Sequence, residues 1–154
     1  MSPEFMQQAI KLALENIRNG GGPFAALVAK DGSIIATGTN RVTSTNDPTA
    51  HAEIVAIREA CRKLATFQLD GCEIYTTCEP CPMCLGAIYW ARPARIFYAA
   101  TASDAAAAGF DDAFIYDEIQ IPPGERRIPM TEMQRSEALV IFQEWLKKSD
   151  KTPY

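Results

Sequence analysis

The sequence predicts an α/β protein in which helices cover a central, at least partly parallel sheet. Three observations lead there. Apolar residues recur at helical spacing in some segments, and short β-branched or aromatic runs fill others. Beyond residue 40 the strand-like segments are separated by whole helices. Asp31-Gly32, a tight-turn dipeptide, joins two early strands as a hairpin.

Residues 4–18 place Phe5, Ala9, Leu12, Ala13 and Ile17 on one helical face, and Asn19-Gly20-Gly21-Gly22 stops that helix. Residues 24–30 and 33–39 read as the two hairpin strands. Asp47-Pro48 offers an N-cap with proline in the first turn, so a helix is expected from there to about residue 64. A short strand follows at 73–77. Pro80 and Pro82 bracket Cys81 and open a helix through about residue 91, and 95–99 is again a strand. The alanine-rich stretch 102–109 has no clear period. A last helix is expected over 135–148.

The 154 residues suffice for one domain with a substantial core, and 47% hydrophobic with 22% charged residues is ordinary for a soluble globular protein. The amino terminus runs straight into an amphipathic pattern, so no signal peptide is expected, and no apolar run approaches bilayer length. Five cysteines without an export signal argue against a disulfide framework and for a cytoplasmic protein. A net charge of −4 disfavours nucleic acid as partner, since such binders present a basic face.

The chemistry concentrates in two short segments. His51, the sole histidine, stands two residues before Glu53, and thirty residues later comes Pro80-Cys81-Pro82-Met83-Cys84. A neutral imidazole and two thiolates are three zinc ligands, and they leave a fourth position for water, as catalytic rather than structural zinc sites do. His-x-Glu followed by Pro-Cys-x-x-Cys is the pattern of zinc-dependent nucleobase deaminases. Glu53 is too near His51 in the chain to be a comfortable fourth ligand. A proton shuttle between water, ring nitrogen and leaving amine suits it better. Each half alone has a plainer reading: a solvated His/Glu pair, a redox Cys-x-x-Cys, or half of a zinc ribbon. No second cysteine pair completes a ribbon, and a redox motif leaves His51 unexplained. Cys61, Cys72 and Cys78 match no ligand position and read as small buried hydrophobes.

The segment Thr77-Cys78-Glu79-Pro80-Cys81-Pro82-Met83-Cys84-Leu85-Gly86-Ala87-Ile88 resembles the purine-acting branch of the cytidine deaminase-like superfamily. Bacterial tRNA adenosine deaminases share the Glu-Pro-Cys-Pro-Met-Cys part. The small bacterial guanine deaminases are similar further along the chain. They match at Gly22-Pro23-Phe24, Asn46-Asp47-Pro48-Thr49-Ala50-His51-Ala52-Glu53, Tyr89-Trp90-Ala91-Arg92-Pro93, Ala108-Gly109-Phe110-Asp111-Asp112 and the terminal Tyr154.

The resemblance implies a three-layer α/β/α fold with a mixed sheet of about five strands, and hydrolysis of guanine to xanthine and ammonia in purine salvage or catabolism. It implies one zinc per subunit on His51, Cys81 and Cys84, with Glu53 as shuttle and Asp112 at the site of attack. Asn40 would bond the purine edge, and Phe24 and Trp90 would wall the pocket. Tyr154 would close it from a carboxy-terminal segment exchanged between the subunits of a homodimer. The tail 135–154 holds four Lys/Arg against three acids, no cationic track for tRNA phosphates. Other amine-bearing substrates (tRNA adenosine, guanosine, cytosine, an aminated triazine) and a non-enzymatic zinc-stabilised module stay as alternatives.

Overall fold

A computed structural model describes residues 1–154, in two compact units: Met1–Ala113 and Phe114–Tyr154. The first unit runs α1 (Pro3–Arg18), β1 (Ala25–Lys30), β2 (Ser33–Thr39), α2 (Val42–Thr45), α3 (Ala52–Leu64), β3 (Glu73–Cys78), α4 (Pro82–Ala91), β4 (Arg95–Ala100) and α5 (Ala102–Ala107). Asp31 and Gly32 both take positive φ, as a two-residue hairpin turn requires, and β1 and β2 pair antiparallel across them. β3 runs antiparallel to β1, and β4 parallel to β3 after the α4 crossover. The sheet is mixed, in the order β2-β1-β3-β4.

That sheet has four strands rather than the expected five or so. Past β4 the chain does not pair again: Thr101 accepts from Asp104 N while the Asp104 carboxylate takes the Thr101 N–H, and this capping box starts α5. β4 is therefore an edge.

Alternation along β1 sorts the core into two sides. Ala26 and Val28 face α3 and α4, packing with Ala52, Ala56, Ala60, Ile74 and Ile88. Leu27 and Ala29 face α1, with Ala9, Tyr75 and the partly buried Phe5 and Phe97. Helix, sheet and helix thus form three layers. Leu27, Ile74 and Ile88 are at most 2% exposed, and each such side chain contributes about 1.5–3 kcal/mol. The alanines matter for a different reason: they let α3 lie close to the sheet. Gly38 on β2 completes this approach. A Cβ there would sit 2.2 Å from the Ala52 carbonyl oxygen and 2.5 Å from Ala56 N.

α3 begins at Ala52, four residues later than an N-cap at Asp47 suggests. Asp47 instead accepts from Thr49 N at 2.8 Å, closing a turn of its own, and the short α2 precedes it. The second unit holds α6 (Ala113–Gln120, its first residue shared with the first unit), a 3₁₀ turn (Pro123–Glu125) and α7 (Arg135–Lys147). Arg126 ties the turn to α6, donating to Ile121 O at 3.0 Å and Ile119 O at 3.2 Å. No residue of α7 is buried, although it carries Leu139, Val140, Ile141, Phe142, Trp145 and Leu146. No helix is long and apolar enough to cross a membrane.

Candidate active site

His51 occupies the N-cap of α3 and Cys81 the N-cap of α4, both on extended backbone with ψ of 156° and 166°. An N-cap side chain ordinarily accepts from the open N–H groups of the first turn. Neither completes that cap bond. Instead His51 Nδ1 lies 3.6 Å from Cys81 Sγ and 3.5 Å from Cys84 Sγ in the first turn of α4.

The three donor atoms all lie within 4.8 Å of one another. Tetrahedral zinc, with Zn–N near 2.0 Å and Zn–S near 2.3 Å, holds nitrogen and sulfur donors about 3.5 Å apart. The measured separations fit that ion, and the donor set suits it: two thiolates and an imidazole balance its charge. His51, Cys81 and Cys84 are placed to bind one zinc, with a fourth tetrahedral position left over.

The Cys84 thiol hydrogen-bonded to it, and the His51 ring beside it, bring Cys81 down to about 4. The same bond, with burial, pushes Cys84 upward. Cys81 in turn raises His51. A metal displaces these protons, because only the thiolates and the neutral ring are ligands.

Glu53, 7% exposed, sits one helical position into the same end of α3. Its Oε1 accepts from Thr76 Oγ1 at 3.3 Å and its Oε2 from Cys84 Sγ at 3.5 Å. Burial raises its pKa above the ordinary carboxylate value. A buried carboxylate of raised affinity for protons, beside a cluster of metal-ligating side chains, can take a proton and give it back.

A cavity of about 500 Å³ opens over these groups. His51, Glu53 and Cys81 line it, together with the expected Asn40, Phe24 and Asp112. Asn40 Oδ1 accepts from Val42 N at 3.3 Å, and Phe24 meets Phe110 edge-on with ring centres 4.9 Å apart. Burial raises Asp112 as well. The lining includes four carboxylates (Glu53, Glu79, Asp111, Asp112) and no lysine or arginine.

Trp90 is not in that lining. It stands at the far end of α4, 64% exposed, and a helix rises about 13 Å between Cys81 and Trp90. Tyr154 belongs to the second unit. Val42, Thr43, Glu79 and Ala102 were not legible as lining residues from spacing. The Glu79 carboxylate accepts from Ala102 N at 3.1 Å and so anchors the start of α5, a link between positions 23 residues apart. Phe110 and Asp111 carried a signal in the Phe-Asp-Asp segment. Cys78 is buried in the cavity wall, and burial pushes its thiol up to about 11; it is not among the three clustered donors.

A family model described as the cytidine and deoxycytidylate deaminase zinc-binding region matches residues 2–100. A guanine deaminase of Bacillus subtilis (strain 168) is 57% identical over 151 residues, 97% of this chain and 97% of that protein. A tRNA-specific adenosine deaminase of Aquifex aeolicus (strain VF5) is 37% identical over 145 residues, 94% of this chain and 93% of that one. Among solved structures, a guanine deaminase from Bacillus subtilis superposes with a TM-score of 0.97 at 56% identity, covering 100% of this chain and 99% of that chain. One from Nitrosomonas europaea gives 0.69 at 43% identity, covering 72% and 65%.

Proposed function

This chain belongs to the cytidine and deoxycytidylate deaminase zinc-binding family, and from that premise we propose that it hydrolyses guanine to xanthine and ammonia. The observation that carries the substrate class is the cavity: a cluster of metal-ligating side chains and a buried carboxylate in a small chamber whose lining includes four carboxylates and no lysine or arginine. A phosphate-bearing substrate would meet only repulsion there, whereas a neutral base needs a compact, partly apolar pocket with a few polar contacts. Guanine is favoured within that class by the 57% identical relative.

When bound, the zinc lowers the pKa of water so that a nucleophile is available at neutral pH. The chain's own residues do the rest. Glu53 takes one proton from the attacking water and delivers it to ring N3, then carries the second, from the new C2 hydroxyl, to the departing amine, as the C2–O bond forms and the C2–N bond to the amine breaks. Asp112 meets the amino and ring N–H groups at the same carbon. Asn40 bonds the purine edge, and Phe24, braced by Phe110, forms an apolar wall.

Tyr154 is proposed to finish the pocket from a second copy. The two units then act as one deaminase domain, its carboxy-terminal segment exchanged in a homodimer. The unburied apolar residues of α7 support this arrangement. The five unpaired cysteines suit the reducing cytoplasm.

Ammonia release from guanine, guanosine, adenine, cytosine and a tRNA anticodon stem-loop tests the reading. Guanine should turn over fastest by a wide margin. Faster release from the stem-loop would transfer the chain to the tRNA-editing enzymes.

A further inference from the structure

Asn16, in the last turn of α1, is tied to the cavity without lining it. Its backbone carbonyl accepts from Gly21 N at 2.8 Å. Its side-chain amide has two hydrogens, and both leave the helix: Nδ2 donates to Gly22 O at 2.8 Å and to Asn40 O at 3.0 Å. Gly22 and Asn40 belong to different segments, and both line the cavity.

The packing around this amide is close. A Cβ on Gly21 would fall 2.3 Å from Asn16 Nδ2, so the loop closes over the amide only as glycine. A Cβ on Gly22 would fall 3.0 Å from Asn40 Cγ, so the same loop backs directly onto the Asn40 carboxamide. Asn40 N donates to Phe24 O at 3.1 Å, which carries the tie on to the apolar wall. One side chain therefore sets the spacing between the glycine loop and the end of β2.

We propose that Asn16 is a positioning residue for base recognition, acting through Asn40: by holding Gly22 and Asn40 on one amide it fixes where the Asn40 carboxamide meets the purine edge. The inference rests on the reading of Asn40 as a base-binding residue. Asn16 touches no substrate and takes no part in proton transfer. Its loss should appear in KM far more than in kcat.

A double-mutant cycle on guanine turnover tests it, with zinc content measured for each variant. Asn16→Ala and Asn40→Ala should each raise KM about tenfold with full zinc, the scale of a lost, partly buried hydrogen-bond pair. Together they should do no more than Asn40→Ala alone, because one acts through the other. Asn16→Asp keeps the shape but aims oxygen at two carbonyl oxygens, so it should raise KM at least as much as the alanine. If Asn16 merely fills space, Asn16→Asp will behave as wild type. That result overturns the proposal, as does an unchanged KM in Asn16→Ala or effects that multiply in the double variant. Should Asn16→Ala not fold, Asn16→Ser takes its place in the cycle under the same criteria. An unchanged KM in Asn40→Ala alone is a separate failure: it removes the base-binding role of Asn40, and this inference falls with it.

Discussion

Glu53 and Cys84 illustrate how one residue type acquires its role from its surroundings. Glu53 lies at a helix start that would normally hold a carboxylate ionised, yet burial outweighs this and raises its proton affinity. Glu53→Gln should keep the zinc and the fold while kcat falls at least about a hundredfold, the usual worth of a positioned general acid–base group. Metal analysis beside an ammonia assay checks this, and near-wild-type release would end the shuttle role. Cys84→Ser should instead lose the metal itself, read as zinc released at far lower chelator concentrations. The metal ligands and Glu53 were legible from the sequence because their spacing is local: two residues from His51 to Glu53, three from Cys81 to Cys84. The cavity wall was less legible. Val42, Thr43 and Glu79 reach it through folds of the chain that leave no period behind.

At the scale of elements, the hairpin and the α3 and α4 layer followed from pattern. The boundaries went astray where short polar motifs compete with helices. Asp47 closes an Asx turn, so α3 starts at Ala52, with His51 at its N-cap, and not earlier, and Thr101 with Asp104 caps a helix in an alanine-rich stretch that has no apolar face to announce it. Gly38 is the element-level weak point. Gly38→Ala presses a methyl group onto the α3 backbone, neither side of which is a flexible side chain. It should cost about 1–3 kcal/mol and lower the Tm by several degrees. Since α3 carries His51 and Glu53, zinc affinity should drop with it; calorimetry and a chelator titration measure the two effects. A variant with unchanged Tm would mean the approach of β2 to α3 is looser than the geometry shows.

The whole molecule raises the question of what covers α7. Its six large apolar side chains include none that is buried, more than a solvated helix ordinarily shows. If a second copy covers them, sedimentation should give a dimer at micromolar concentration. Removing Thr152, Pro153 and Tyr154 should then impair turnover sharply without touching zinc content. Unchanged kinetics would take Tyr154 out of the site. Sequence spacing could not supply this level, because contacts between copies have no signature along a single chain.

The two helix starts that meet at the zinc ligands have one more consequence. Since neither His51 nor Cys81 completes a side-chain cap bond, a bound ion would order the first turns of α3 and α4 as well as supply chemistry. Zinc would in effect be a staple between two frayable ends. Chelation should therefore speed amide hydrogen exchange first at Ala52, Glu53, Ile54, Met83 and Cys84, and leave β1 and β3 protected. In the intact protein those five amides would serve as a residue-level gauge of metal occupancy.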